Sequence, residues 1–340
     1  APHPSAHAVP AQSPASSTTA YPENEYVLYA PKKRENKRLD KLTKQYQQLQ
    51  LSYPTTSSWK KLSSLWRVWG VTQQLEKEKI DIFHGLSNEL PLNIHQSEVK
   101  SIVTIHDLIF LRYPQYYHSI DRKIYTYKFR KACENADKII AISECTKRDI
   151  IEYFRIPADK IEVVYQGCDP SFIHPVAAEK KREIRAKYQL PDHYILNVGS
   201  IEERKNALSA VQALTMLPEQ IHLVIVGRHT EYTDKIERFI KENKLEERVH
   251  IISNVPFDDL PAFYQLAEIF VYPSRFEGFG IPIIEALYSG IPVVAATGSC
   301  LEEAGGPDSI YVHPDDIKGM ANAFISVLTF PRQRAENSAS

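Results

Sequence analysis

The sequence is poor in residues that would tie it to several familiar protein classes. Its four cysteines, Cys133, Cys145, Cys168 and Cys300, stand far apart with no Cys-x-x-Cys pair. That spacing argues against a zinc site or a disulfide framework and points to a reducing cytosol. No stretch approaches the run of about 18 apolar residues that crosses a bilayer as a helix. The chain is therefore expected in the cytoplasm, at most peripheral to the inner face of a membrane. Neither sign of charge is in excess: 41 Lys and Arg face 42 Asp and Glu, for a net charge of -1. A uniformly basic nucleic-acid binder is excluded. No glycine precedes Gly70, and no Gly-x-Gly-x-x-Gly follows a candidate strand, which weakens a dinucleotide oxidoreductase. The first 22 residues carry no charge and 17 of them are Ala, Pro, Ser or Thr. Such a tail cannot build a core. It also lacks the basic start and continuous apolar stretch of a secretory signal, which disfavours a periplasmic binding protein.

What is present begins at about Glu25, where short β-branched apolar runs alternate with longer amphipathic segments. Candidate strands are 25–31, 80–86, 99–107, 138–143 and 161–167, then 194–200, 222–227, 249–255, 269–274, 292–297 and 309–313. Most are apolar throughout, as parallel strands covered on both faces require. Helix-length segments fall at about 205–217, 231–244, 258–267 and 282–289. The alternation predicts doubly wound parallel sheets, with ligands at the carboxyl ends of the strands. A length of 340 residues suggests two domains. Between the halves, Pro170, Pro175 and Pro191 surround AEKKREIRAKY, which reads as a short helix in a connecting segment. The expected division is a tail over 1–22, a first domain over 23–172, a linker over 173–192 and a second domain over 193–340.

Residues 31–70 hold ten basic and two acidic residues, interleaved with Trp59, Leu62, Leu65, Trp66 and Trp69. Two readings stay open: a patch for anionic lipid headgroups or a phosphate-bearing acceptor, and a solvated basic face whose tryptophans turn to the core.

Three segments carry chemistry. In SRFEGFGIPIIEALYSGIPVVA (274–295), Glu277 and Glu285 are separated by seven residues. Gly278 and Gly280 leave backbone N–H groups at the start of a helix with Pro282 in its first turn, where the macrodipole favours an anion. In NVGSIEERKNALSAVQAL (197–214), Gly199 and Ser200 end a strand, and Arg204 and Lys205 open a helix. Cations there oppose the macrodipole unless an anion is near. In VTIHDLIFLRYPQYY (103–117), His106 and Asp107 close a strand; alone, such a histidine is more often structural than functional.

Together these segments resemble family 4 retaining glycosyltransferases, whose fold is GT-B: two Rossmann-like, doubly wound parallel-sheet domains facing a cleft. The carrying motifs are Glu-x7-Glu around Gly-Phe-Gly-x-Pro, the Lys-Asn loop at 205–206 and Thr-Ile-His-Asp-Leu with its following Phe-Leu-x-x-Pro. FHGLSNELP (83–91), AISECTKRDIIEYF (141–154) and VYQGCDPSF (164–172) also match. The resemblance implies transfer of a mannose- or glucose-type hexose from a GDP- or UDP-sugar to a glycan or lipid-linked acceptor, in bacterial surface polysaccharide synthesis. It places Arg204 and Lys205 at the donor pyrophosphate, Glu277 and His106 at the transferred sugar, and Glu285 at the ribose. Gly199, Ser200, Gly278, Phe279 and Gly280 complete the donor site. No metal is expected, because cations serve the leaving group and no Asp-x-Asp is present; Asp315 and Asp316 read as a helix cap. The family ordinarily opens with a strand and a glycine-rich loop, which the residues before Tyr21 do not match, and ends with closing helices beyond PRQRAENSAS. The first domain is thus expected to be incomplete. A nucleotide-sugar-binding remnant or scaffold subunit stands as the alternative function.

Overall fold

A computed structural model describes residues 19–33 and 35–329. Most of the expected tail, and the last eleven residues, lie outside them. The chain forms two compact units, Ala1–Gly167 and Cys168–Ser340, each described here by itself.

The first unit contains two parallel sheets. β1 (Tyr26–Tyr29) pairs with β2 (Leu49–Ser52). β3 (Ile82–Gly85), β4 (Lys100–Ile105), β5 (Lys138–Ala141) and β6 (Ile161–Val163) form a four-stranded sheet in that order. Val103, Ile105, Ile139 and Ala141 pack with Leu75, Leu108, Phe110 and Cys133 in one buried core. The five strands expected from the sequence are present. β1 does not join the larger sheet, and its partner β2, only four residues long, was not among the expected strands. Helix Glu144–Asp149 starts where the motif AISECT places a cap: the Ser143 hydroxyl accepts from the Thr146 N–H at 3.0 Å.

The second unit is a six-stranded parallel sheet: β7 (Tyr194–Val198), β8 (His222–Val226), β9 (Val249–Ile252), β10 (Ile269–Tyr272), β11 (Val293–Ala296) and β12 (Ile310–Val312). Its spatial order is β9-β8-β7-β10-β11-β12. β10 and β11 are buried along their whole length, because helices cover both faces. Ile195, Ile225, Val271 and Val294 pack against Val211 and Leu214 of helix Ala207–Leu214 and Phe324 of helix Ile317–Thr329. The winding direction reverses between β7 and β10. Strand-end loops diverge at such a reversal and leave a crevice for ligands.

The structure divides the chain at Gly167–Cys168, five residues before the expected position, and gives the expected linker to the second unit. Helix Ala178–Tyr188 coincides with the segment read as helical. Lys187 Nζ and the Tyr188 hydroxyl both donate to Asp259, at 2.7 and 2.8 Å, so this helix is bonded into the second unit.

Candidate functional site

The crevice at the reversal in the second unit is built by the loops after β7 and β10. Gly199 leaves β7 with φ +148°, and a Cβ there would stand 3.0 Å from Lys205 Nζ; the lysine lies over the glycine. Ser200 continues the loop, and Arg204 and Lys205 close a short turn before helix Ala207–Leu214. Asn206 adopts the left-handed conformation, φ 56°. Its amide donates to the carbonyls of Pro273 at 3.3 Å and Pro314 at 2.8 Å. The Arg275 N–H donates to the Arg204 carbonyl at 2.9 Å. These bonds tie the two loops together and fix where the two cations stand.

Glu277 meets them there. Arg204 Nη1 lies 2.9 Å from Glu277 Oε2, and Lys205 Nζ lies 3.8 Å from Oε1. Arg204 also donates to the Phe276 carbonyl. The Tyr272 hydroxyl, at the carboxyl end of β10, donates to Glu277 Oε1 at 3.1 Å and accepts from Lys205 Nζ at 3.4 Å. Burial, then the neighbouring Glu277 charge, raises the Tyr272 phenol well above its ordinary pKa, so it stays a donor. The side chains of Arg204, Lys205 and Glu277 are 13%, 19% and 12% exposed, a partly desolvated setting in which charge interactions strengthen. The anion that resolves two cations at a helix start is thus Glu277 itself.

The loop then turns into helix Ile281–Tyr288 through Gly280, whose φ of +124° an L side chain rarely adopts. Pro282 sits in the first turn. The buried Cys300 Sγ lies 2.9 Å from the Glu277 carbonyl and 3.1 Å from the Phe279 carbonyl, which share its single S–H donor and are braced by it. Phe279 is buried, so its ring packs inside the unit rather than facing solvent. Glu285 accepts from the Tyr264 hydroxyl at 2.7 Å, and burial raises its carboxyl above the ordinary range. Asp316 Oδ1 accepts from the Gly319 N–H at 2.8 Å, as a helix cap does.

His106 lies in the first unit, at the end of β4. Its Nε2 is 2.7 Å from the Leu86 carbonyl, and its backbone N–H donates to Asn88 Oδ1 at 2.7 Å. A carbonyl only accepts, so Nε2 carries a proton. The loop after β3, which holds FHGLSNELP, is therefore the brace of this histidine. Asp107 accepts from the Ile109 N–H at 3.0 Å, a capping role.

Of the expected donor residues, the structure brings Gly199, Arg204, Lys205 and Glu277 into direct contact. Tyr272, Tyr264 and Cys300 were not legible: a strand tyrosine and a distant cysteine have no local signature. In the basic segment, Trp66 is buried, Trp59 packs against the core, and Leu62, Leu65 and Trp69 are exposed. The segment's aromatic and apolar residues are thus divided between core and surface.

Comparison with known proteins bears on both units. A family model described as glycosyl transferases group 1 matches residues 180–339, and one described as Glycosyltransferase Family 4 matches residues 23–172. O-antigen chain mannosyltransferase B of Escherichia coli is 32% identical over 246 residues, covering 71% of this chain and 63% of that protein. Serotype-specific mannosyltransferase WbdA, also of Escherichia coli, is 30% identical over 261 residues, covering 74% of this chain and 32% of the relative. The chain thus spans less than two thirds of the length of these relatives. A glycosyltransferase structure from Rickettsia africae superposes with a TM-score of 0.72 at 21% identity, covering 91% of this chain and 81% of that one. At that identity the likeness concerns the fold.

Proposed function

From its membership of the group 1 and family 4 glycosyltransferases, to which this chain belongs, we propose that it transfers a mannose- or glucose-type hexose from a nucleoside diphosphate sugar to a glycan or lipid-linked acceptor. The setting is bacterial surface polysaccharide synthesis, and the anomeric configuration is retained. GDP-mannose is the first donor to test, because relatives at 30–32% identity are named as mannosyltransferases.

The observation that carries the reading is the meeting of Arg204, Lys205 and Glu277 at the sheet's reversal point. Transfer breaks the bond between the anomeric carbon and the β-phosphate oxygen, and the electron pair leaves with the diphosphate. Arg204 and Lys205, with the main-chain N–H of Ser200, neutralise that growing charge, while Gly199, whose own N–H is bonded to the Val226 carbonyl, lets the loop pass beneath Lys205. The acceptor hydroxyl attacks the same face of the sugar and gives its proton to the departing phosphate. Glu277 positions the sugar and offsets positive charge at its anomeric carbon. The main chain of Gly278, Phe279 and Gly280 borders the donor, and Glu285 accepts from the ribose hydroxyls. His106 is assigned to the sugar on the strength of the family motif alone. No step in this scheme calls for a metal.

The decisive experiment offers the purified protein a panel of radiolabelled nucleotide sugars with saccharide acceptors, beside calorimetric titration of GDP and UDP. Labelled product and micromolar nucleotide binding are expected. Binding without turnover would favour the nucleotide-sugar-binding remnant instead, and neither would overturn both.

We also propose that the first unit rests on anionic lipid. Leu62, Leu65 and Trp69 recur at helical spacing and are 49%, 42% and 46% exposed. Lys60 and Lys61 stand beside them, and residues 57–70 contain no acid. No helix among the described residues is long and apolar enough to cross a membrane. Co-sedimentation with vesicles containing phosphatidylglycerol, lost in a Leu65→Ser/Trp69→Ser variant, is the expected result; equal recovery of both proteins would refute it.

A further inference from the structure

The Glu277 carboxylate is held by two cations and one neutral donor. Its charged partners are Arg204 at 2.9 Å and Lys205 at 3.8 Å; the neutral one is the Tyr272 hydroxyl at 3.1 Å. If these cations also receive the donor diphosphate, they cannot serve both anions fully. A diphosphate with one negative charge on each phosphate, arriving beside Glu277, draws hydrogen bonds away from the carboxylate and repels it. Glu277 then keeps its place only through a donor whose position is fixed by the fold rather than by the two cations.

Tyr272 meets that requirement in three ways. It is 3% exposed, at the last position of β10, a strand buried on both faces. Its ring stacks on Phe270 with centroids 5.8 Å apart, at an interplanar angle of 21°. A side chain packed in this way stays where the strand sets it when a ligand binds. The same hydroxyl accepts from Lys205 Nζ at 3.4 Å, and the ammonium also stands 5.8 Å from the ring centroid. One rigid group therefore touches both the carboxylate and a cation of the site. The arrangement is a fixed support under two long, otherwise mobile side chains.

We propose that Tyr272 is a positioning residue for glycosyl transfer. Its hydroxyl keeps Glu277 at the transferred sugar once Arg204 and Lys205 have turned to the donor diphosphate. The proposal rests on the glycosyltransferase reading above. It assigns Tyr272 no bond-making step, since the phenol neither gains nor loses its proton. Its effect is expected on turnover rather than on affinity, because the cations that bind the diphosphate remain in the variant.

Tyr272→Phe removes the hydroxyl and keeps the packed ring. For this variant we expect kcat to fall at least tenfold, with the donor KM and the calorimetric Kd for GDP or UDP within about threefold of wild type. A purely structural role would instead lower the thermal midpoint and the nucleotide affinity together. A folded Tyr272→Phe protein with kcat within twofold of wild type overturns the proposal. A second measurement is independent of activity: thermal unfolding of Tyr272→Phe, Glu277→Ala and the double variant, without ligand. If the hydroxyl holds the carboxylate, the double variant's midpoint shift is smaller than the sum of the single shifts; additive shifts overturn the contact. Should the wild type neither bind nucleotide nor transfer sugar, the functional reading fails while this cycle still decides the Tyr272–Glu277 bond.

Discussion

Arg204 and Lys205 are neighbours of like charge on one carboxylate, yet their surroundings differ. Arg204 is bonded to the Phe276 carbonyl as well as to Glu277, so it holds loop to loop. Breaking a largely buried ion pair by removing one partner typically costs about 3–5 kcal/mol. Arg204→Ala should therefore lower the thermal midpoint measurably as well as abolish transfer. Lys205 reaches Glu277 only at 3.8 Å and donates weakly to Tyr272, so Lys205→Ala should melt near the wild type while losing about 10²–10³ in kcat, as when a preorganised donor to developing charge is removed. Near-normal transfer by folded Lys205→Ala would remove the lysine from the diphosphate. Glu277→Gln keeps the size and one acceptor oxygen but loses the charge; turnover should fall strongly, with circular dichroism unchanged. At this scale the sequence was informative where chemistry is local. Arg204, Lys205 and Glu277 were nameable from their flanking glycines and strand ends. Tyr272 and Cys300 were not, because their partners lie across turns whose paths a linear pattern does not reveal.

The elements meet most tightly where two of these loops cross. A Cβ on Gly227, at the end of β8, would stand 1.9 Å from the Gly199 carbonyl oxygen. Backbone on backbone leaves no flexible atom to yield, so Gly227→Ala should push the Gly199 loop away from Lys205. Overpacking of this kind typically costs about 1–3 kcal/mol. The expected outcome is a lower urea midpoint together with weaker nucleotide binding by calorimetry; an unchanged Kd would show that the Gly199 main chain takes no part in the site. Strands buried on both faces, such as the apolar runs of β10 and β11, were recognisable because nothing but a covered parallel sheet suits them. β2 was not: Leu49–Ser52 is short and half polar, and it becomes a strand by pairing residue for residue with Tyr26–Tyr29. The same limit applies to segment 59–70. Its composition announced basic and aromatic residues, but which aromatics face outward is set by the core that Trp66 enters.

For the whole molecule, acid response offers a test away from the crevice. His222 Nδ1 and His250 Nε2 lie 3.0 Å apart on β8 and β9. One must donate and the other accept, so this pair cannot be doubly protonated as it stands. Burial, then Arg248, lowers the His222 pKa; burial, then His222, lowers that of His250. Glu247 acts weakly the other way on both. The unfolded chain thus binds more protons than the folded one below the ordinary value of 6.5. Their contribution to stability is present above that pH and is lost as pH falls toward the folded values. Glu285, whose pKa burial raises, contributes with the opposite sign. The urea midpoint should therefore drop between pH 7.5 and 5.5, and a His222→Gln/His250→Gln variant should show a shallower drop; equal slopes would remove the pair from the response. The sequence by itself determined the α/β class, the parallel strands, the loops that carry Arg204, Lys205 and Glu277 and the helix that carries Glu285, because periodicity, glycine and charge act over a few residues. Only the tertiary structure decided that β1 and β2 stand apart, that residues 173–192 belong to the second unit and that Tyr272 underlies the charged cluster. Those outcomes depend on pairing and burial between segments distant in the chain, and no short stretch of sequence contains both partners.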